Sequence, residues 1–463
     1  METFINSWEF VFLIYFLIIN GGYGLLNILS FFSINKHLKY NLHEAWLTTF
    51  NNYDTPISII APAYNEELTI VESVRSMLNL NYSEYEVIVV CDGPKDKTLE
   101  NLIDAYTLVP ILEPTKLELT HKPIKNIYIS LVDKRLKVVL KENGGKADAL
   151  NCGINISNYP LFCAIDADSI LDSEALHKLA QPFLFENNTV ATGGIIRIAN
   201  GCEIIDGVVK KVDTPNSWLE TIQIVEYLRA YFLGRMGWIP LDSIMIISGA
   251  FGLFSKKAVI DVNGYNQNTV GEDMELVLKL RNKSIKNNTK INISFIPDAV
   301  CWTQCPNDIK TLSNQRKRWQ RGLMESLWGG RNLFLNRKGG FLSFFAFPFF
   351  VFIEALGPIF ELIGYFSFLS FSVAGIIDWE FFFYFYLLAL SFGLMLSLSA
   401  IFIEEIFFDY YKPKHVFKLF LACLLENVWF RYAHFVWRLL GIIQYFRGKS
   451  HWGEMKRINF NMF

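Results

Sequence analysis

The chain has 463 residues, room for one or two domains with a large core, and its net charge of −2 offers no footprint for a nucleic-acid partner. Hydrophobic residues make up 52% of it and mean hydropathy is positive, high for a soluble protein, with the excess gathered at the two ends. The seven dispersed cysteines include no CxxC pair, and Cys301 and Cys305 have no cysteine or histidine neighbour to complete a zinc pattern, so they read as reduced thiols in a cytosolic domain.

Residues 10–32 carry no charge. As a helix this run measures about 34 Å, enough to span a bilayer. It is too long for a signal-peptide core and no basic segment precedes it, so residues 1–33 are expected to form a retained transmembrane anchor. Glu2 and Glu9 lie before it and Lys36, His37 and Lys39 after it, which puts the N-terminus outside and the next domain in the cytosol.

From Asp54 the character changes. Residues 56–60 predict a strand, Ala61-Pro62-Ala63-Tyr64-Asn65-Glu66-Glu67 the loop after it, and Ile70, Val74, Met77 and Leu78 one face of a helix. Residues 85–90 predict a second strand ending at Cys91-Asp92-Gly93, with a helix from near Asp96. Residues 127–132 and 137–140 predict further strands. Strands alternating with helices predict an α/β domain built on a parallel sheet covered on both faces. Ligands bind such sheets beyond the C-terminal strand ends. Asn65-Glu66, Asp92 and Asp166/Asp168 all fall there.

Leu161-Phe162-Cys163-Ala164-Ile165 reads as a buried strand that runs into Asp166-Ala167-Asp168. Strand alternation would aim both carboxylates the same way. Carboxylates sharing one space repel unless a cation lies between them, and a hard divalent ion that takes substrate phosphate is the usual answer. An Asp-rich turn leading to a helix N-cap at Ser169 or Asp172-Ser173 is the other reading of these residues. Three acidic strand ends on one edge favour the functional one.

Gly144-Gly145-Lys146 opens a helix at Ala147. It is not the P-loop of an NTP-hydrolysing enzyme, which needs glycine at 140 and serine or threonine at 147, where this chain has Leu140 and Ala147. Lys146 at a helix N-terminus reads either as a phosphate partner or as a solvated surface lysine. A helix between Trp218 and Trp238 is either a core helix or one lying at a membrane surface. Ser248-Gly249-Ala250-Phe251-Gly252 follows an apolar strand, and its small residues allow close backbone approach. Gly271-Glu272-Asp273 precedes a helix, where carboxylates are also favoured as caps. Gln315, Arg318 and Trp319 share one face of another helix, which is either a basic surface helix or part of a site.

Residues 341–377 are apolar again, broken by Pro348 and Pro358 and holding Glu354 and Glu361; residues 381–403 form a cleaner span. Residues 416–446 are too few for two crossings of about 20 residues each and have basic residues on both flanks. Asn427, Arg431, His434 and Arg438 fall on one helical face there. The segment is expected to be interfacial or re-entrant, its polar stripe turned away from lipid. Residues 447–463 would be a cytosolic tail.

Taken in order, Asp92, Asp166-Ala167-Asp168, Gly271-Glu272-Asp273 and Gln315-Arg316-Lys317-Arg318-Trp319 resemble the D…DxD…(G/T)ED…QxxRW set of the membrane-bound processive family 2 glycosyltransferases. These include the poly-N-acetylglucosamine, hyaluronan, chitin and cellulose synthases. Each motif is weak alone and the ordered set is strong. The resemblance covers roughly residues 54–330. It implies a Rossmann-like GT-A domain, residues 54–335, inserted between transmembrane helices, with a C-terminal membrane region at 341–446. It implies that Asp92 and Asp166 hold the uridine or ribose of a sugar nucleotide and that the loop with Pro62, Tyr64 and Glu66 walls the base. Lys146 would approach the diphosphate and Asp168 would hold Mg²⁺ or Mn²⁺. Asp273 would be the catalytic base, and Gln315, Arg318 and Trp319 would hold diphosphate and the acceptor sugar. Gly-Gly-Lys-Ala and Ser-Gly-Ala-Phe-Gly are most similar to the poly-N-acetylglucosamine and hyaluronan branch. The chain departs from the bacterial cellulose synthases in having no visible appended regulatory domain, and no gating-loop motif stands near its C-terminus.

The expected activity is inverting polymerisation of a UDP-sugar, with UDP-N-acetylglucosamine as the candidate, into a β-linked polysaccharide. One base and a direct displacement invert the anomeric centre. The enzyme would be a multi-pass membrane protein with a cytoplasmic catalytic domain. Its partners would be the UDP-sugar, a growing glycan or lipid-linked acceptor, the membrane and, since the membrane part is small for a polymer channel, accessory subunits for export. The polar stripe at 427–438 would face the catalytic domain or the glycan path. Two other readings stay open: single addition of a sugar to a lipid carrier, and a non-catalytic membrane subunit with a degenerate transferase fold.

Overall fold

The computed structural model describes residues 2–48, 55–114 and 116–448, with side chains from 10 to 39 in the first stretch. The expected tail therefore lies, from residue 449 on, outside the described residues, as do the side chains of Glu2 and Glu9. The strands are β1 (Ile57–Ala63), β2 (Tyr85–Asp92), β3 (Leu108–Ile111), β4 (Ile124–Ser130), β5 (Leu136–Lys141), β6 (Leu161–Ile165), β7 (Ile170–Leu171), β8 (Thr189–Ile198), β9 (Glu203–Ile205), β10 (Val208–Lys211), β11 (Phe251–Ser255) and β12 (Asn292–Thr303). The helices up to the end of this domain are α1 (Glu2–Thr48), α2 (Ile70–Leu78), α3 (Thr98–Tyr106), α4 (Lys146–Ile156), α5 (Ala175–Phe185), α6 (Trp218–Phe232), α7 (Lys256–Ile260), α8 (Glu272–Asn287) and α9 (Ile309–Gly329).

Ten strands make one sheet in the order β3-β4-β5-β2-β1-β6-β11-β8-β12-β7. Its middle, β5-β2-β1-β6, is parallel. Every residue of β2 and β6 is buried, odd and even positions alike, as two covered faces require. The expected parallel sheet holds for this middle and is corrected beyond it, because β11 runs antiparallel between β6 and β8, and the two margins of the sheet are also antiparallel. The reason is the direction of entry. Phe251 pairs with Ile165 and Ser255 with Leu161, so β11 starts at the edge where β6 ends. That reversal carries the turn Ser248-Gly249-Ala250 to the same edge as Asp166.

Local boundaries moved for similar reasons. Ala61, Pro62 and Ala63 are the last residues of β1, paired with Val89, Val90 and Cys91, so the loop begins only at Tyr64. Pro62 is tolerated because this is the strand's end. Lys146, not Ala147, is the first residue of α4, with Gly145 as its N-cap at φ +91°, a conformation that favours glycine. No strand precedes Ser248; the apolar residues there lead into β11 instead. The helix expected over 218–238 is α6 followed by a 3₁₀ turn, Met236–Leu241, and Ile222, Val225, Leu228 and Phe232 of α6 are buried.

Among the described residues two helices are long and apolar enough to cross a membrane, Phe10–Lys39 and Trp379–Phe407, or three if the pair Leu342–Ala355 and Gly357–Val373, bent by 46°, is one span. The bend follows from Pro358, whose missing N–H ends the ladder behind it. Around Pro348 the chain widens into π-helical turns, Leu342–Ala346 and Phe350–Ala355. Residues 416–446 lie in one nearly continuous helical path, Pro413–Leu425, a π segment Glu426–Phe430, and Arg431–Phe446, the last packed along α9. All seven cysteines are buried and unpaired with one another.

Candidate active site

One edge of the sheet collects the polar residues. β1 ends at Ala63, β2 at Asp92, β5 at Lys141, β6 at Ile165 and β12 at Thr303, and β11 begins there. Above this edge lies a cavity of about 2000 Å³. Pro62, Tyr64, Glu66, Asp92, Lys146, Asp166, Asp168, Asp273, Gln315, Arg318 and Trp319 all line it. The sequence thus picked out residues from six separate segments that the fold brings to one space.

At the β2 end, Asp92 is buried and its carboxylate is already engaged. Lys141 Nζ reaches Oδ1 at 2.5 Å, Gly144 N donates to Oδ1 at 3.0 Å, and Gly145 N donates to Oδ2 at 2.7 Å. Asn143 Nδ2 adds a bond to Oδ2 at 3.2 Å and one to the backbone oxygen at 2.8 Å. Lys141 also stands 2.5 Å from Asp148 Oδ1, and its ammonium is wholly buried between the two acids. Asp92 therefore shapes the turn that presents Lys146. Sequence reasoning missed Lys141 and Asp148. The available signal was a lysine directly after the apolar run Val138-Val139-Leu140, since a charge buried there is rarely left without a partner.

Asp166 and Asp168 are not carried on an extended strand. β6 stops at Ile165, and Ser169 N bonds Asp166 O at 3.1 Å, so the pair sits in a turn. Strand alternation consequently does not apply. Asp168 is buried at 2% exposure, while the Asp166 side chain is one-third exposed. Lys146 Nζ bonds Asp166 Oδ1 and donates to Gly249 O at 3.0 Å. Burial alone would push the Lys146 ammonium down, but Asp166, Glu272 and Asp273 outweigh it and hold its pKa above the usual value.

Gly249 joins this lysine to the next acid. Its N–H donates to Asp273 Oδ2 at 3.1 Å, and Met274 N donates to Asp273 Oδ1 at 2.8 Å. A Cβ on Gly249 would lie 3.3 Å from Lys146 Nζ and 3.4 Å from Asp273 Cβ, so a side chain there would press on the lysine's ammonium. Asp273 lies in the first turn of α8, at the end that carries the free backbone N–H groups. Glu272, one residue back, is 5% exposed. Burial, with the nearby Asp273, lifts its pKa to about 7 against the opposing pull of Lys146.

The start of α8 is pinned against α9. A Cβ on Gly271 would lie 2.6 Å from Gly322 O, and Ser326 Oγ donates to Gly271 O at 3.0 Å. Glu325 accepts from Thr269 Oγ1 at 2.8 Å and from Val270 N at 2.9 Å. Contact at two glycines brings Asp273 to the side of the cavity lined by Gln315 and Trp319. Gln315 is buried, Arg318 half-buried and Trp319 45% exposed.

The cavity does not stop at α9. It continues between α1 and the C-terminal helices, past Tyr23, Glu354, Tyr365, Phe385 and Arg431. Asn427, Arg431, His434 and Arg438 all face this space, and Arg438 Nε donates to Gln320 Oε1 at 2.9 Å. Tyr23 donates to Glu354. Exposed Phe417, Phe420, Leu424, Val428 and Val436 lie on the outer side of the same helices.

Comparison with known proteins identifies the family. The model "Glycosyl transferase family 2" matches residues 58–262, and "Glycosyl transferase family group 2" matches residues 161–402, more than half of the chain. The chain belongs to glycosyl transferase family group 2. Among curated proteins, this transferase is 27% identical over 318 residues to the poly-beta-1,6-N-acetyl-D-glucosamine synthase of Staphylococcus aureus (strain COL), covering 69% of the chain and 66% of the relative. The protein of that name from Staphylococcus epidermidis is 28% identical over 323 residues, covering 69% and 67%. The transferase thus spans just under two thirds of the length of the S. aureus relative. A solved mannosyltransferase from Pyrobaculum calidifontis, in complex with GDP-Man and Mn²⁺, shares the fold with a TM-score of 0.50 at 14% identity, covering 91% of this chain and 99% of that one. Both family models include β6 and the Asp166-Ala167-Asp168 turn.

Proposed function

We propose that this transferase polymerises a UDP-sugar into a β-linked polysaccharide with inversion at the anomeric carbon, and that the polymer leaves through the same cavity in which it is made. The observation that carries this reading is the continuity of that cavity from the sheet edge, past Asp273 and Trp319, to the membrane-length helices. That space gives a growing glycan a path away from the acceptor site, and a lipid-linked acceptor is the other occupant it could take, which product size distinguishes. The name of the staphylococcal relatives makes UDP-N-acetylglucosamine the first donor to test.

In this reading the loop with Pro62, Tyr64 and Glu66 walls the base, and Asp92 acts mainly by holding the Asn143-Gly144-Gly145 turn beneath the nucleotide. Asp166 and Lys146 meet the ribose and the diphosphate. Asp273 takes the acceptor hydroxyl proton as the glycosidic bond forms. Its two oxygens each receive one backbone N–H, which leaves further lone pairs for that proton. Gln315 and Arg318 face the developing charge on the departing diphosphate. Trp319 offers an apolar plane to the acceptor ring.

Asp168, in the same turn as Asp166, would hold Mg²⁺ or Mn²⁺. The donor chemistry fits, since both are hard carboxylates on the cavity wall. Among the described residues no group of three or more His, Cys, Asp and Glu gathers, so the remaining ligands would be water and diphosphate oxygens. When bound, such an ion neutralises charge on the leaving group. The N-terminus would lie outside, with the catalytic domain cytoplasmic.

The test is to give purified protein radiolabelled UDP-N-acetylglucosamine and to size the product, with and without EDTA. The expected result is long polymer with metal and none in chelator. A single-sugar adduct on lipid would overturn the polymer reading, full activity in EDTA the metal site, and UDP release from another UDP-sugar alone the choice of donor.

A further inference from the structure

Arg316 stands in the middle of the predicted acceptor motif without a role of its own. It is 1% exposed. Its Nη2 donates to Glu226 Oε2 at 2.6 Å, on α6. Its Nη1 donates to Gln315 Oε1 at 3.1 Å, and its guanidinium carbon lies 4.1 Å from the centroid of the Trp319 ring. Tyr227, next to Glu226, adds a ring 6.3 Å from that of Trp319, tilted by 49°. One buried cation thus touches both side chains proposed to meet the acceptor, and an acid on another helix fixes the cation.

Two consequences are chemical. A guanidinium has donors only, so the Gln315 atom facing it has to be the amide oxygen, and the NH₂ group is turned the other way. A free glutamine would present oxygen or nitrogen about equally well. Arg316 also covers part of the indole by a cation–π contact and holds its plane, leaving the 45% exposed remainder to the cavity.

We infer that Arg316, locked by Glu226, is the positioning residue of the acceptor site: it presents Gln315 as a hydrogen-bond donor and Trp319 as a fixed platform for the terminal sugar of the glycan. The inference rests on the reading of Gln315 and Trp319 as acceptor residues. It specifies the ligand as a pyranose that offers a hydroxyl or carbonyl oxygen to Gln315 while stacking its C–H face on Trp319. Arg316 touches no reacting atom and acts through these two neighbours.

The experiment compares wild type, Arg316→Met, Trp319→Ala and the double variant Arg316→Met/Glu226→Gln. The double variant is included because removing Arg316 alone strands a carboxylate, whereas removing both leaves a neutral pair. UDP affinity, KM for a glycan oligomer and product length are measured on each. Arg316→Met, or the double variant if the single one does not fold, is expected to raise the acceptor KM about tenfold and shorten the product, with UDP affinity kept within about twofold. An equal loss of UDP affinity would mark Arg316 as a general structural residue and overturn the inference. An unchanged acceptor KM in a folded variant would also overturn it, and Trp319→Ala separates the two ways this can happen. If Trp319→Ala alone raises the acceptor KM, positioning by Arg316 falls and the acceptor site stands. If neither does, the acceptor site itself has been misassigned.

Discussion

Arg197 meets Glu404 with both terminal nitrogens, at 2.7 and 2.8 Å, across the junction between β8 and the membrane-length helix Trp379–Phe407. Both side chains are essentially without solvent, and the guanidinium carbon stacks 4.0 Å from the Tyr410 ring. Breaking one side leaves a buried charge, which typically costs about 3–5 kcal/mol. Arg197→Met should therefore lower the thermal unfolding midpoint in detergent sharply. Arg197→Met/Glu404→Leu should recover most of that loss. A double variant no better than the single would mean that the pair contributes shape rather than compensated charge.

Lys141 carries a second buried balance, one cation between Asp92 and Asp148. Lys141→Met would leave two carboxylates in one dry space, where one must take up a proton. UDP affinity should then fall at neutral pH and partly return as pH is lowered. Lys141→Met/Asp148→Asn should restore binding without acidification. Titration calorimetry with UDP at two pH values reads both effects, and a pH-independent loss in the single variant would contradict the balance.

Asp273→Asn keeps the shape of the side chain and removes its basicity. A positioned carboxylate base is worth about 10²–10⁴-fold, so transfer should drop by at least about two orders of magnitude while UDP affinity stays near normal. Single-turnover transfer and UDP binding on the same preparation check this. Loss of UDP binding would reassign Asp273 to the nucleotide.

Glu272 makes a pH prediction. Its pKa is raised from 4.5 to about 7 in the folded protein, first by burial. The folded state thus binds a proton more readily than the unfolded chain, and stability falls as pH rises through that window. Compared with Glu272→Gln, the wild type should lose unfolding temperature between about pH 4.5 and 7 and then level off. Parallel curves for the two proteins would show that folding does not raise the Glu272 pKa.

How much of this was readable beforehand depended on the kind of information each residue carried. β1, β2 and β6 announce themselves as apolar runs stopped by Asn, Asp or Gly, and Asp92 and Asp166 follow from them by topology, whereas Asp273 at the start of α8 was singled out only by the family resemblance. β11 was not legible as antiparallel, because five residues give no direction; that depends on where α6 and the Met236–Leu241 turn deliver the chain. Helical spacing put Gln315, Arg318 and Trp319 on one face, and the family resemblance made that face part of a site. Arg316 was in the same motif, but its meaning lies in Glu226, ninety positions away, and spacing holds no trace of such a partner. Asp166 and Asp168 both reach the cavity wall, but a turn and not the expected strand alternation carries them there.

The seven buried cysteines have a practical reach of their own. Burial pushes the Cys91 and Cys152 thiols up to about 12 and Cys202 up to about 11, far from the thiolate a maleimide needs. The native chain is therefore close to silent toward such reagents while folded, and an added thiol becomes a lone reporter against a dark background. Ala374 and Lys414 are both exposed and flank the helix Trp379–Phe407. With an impermeant maleimide on intact cells, Ala374→Cys should label and Lys414→Cys should not. The reverse pattern would turn the proposed orientation over, and both can be read without removing a single native cysteine.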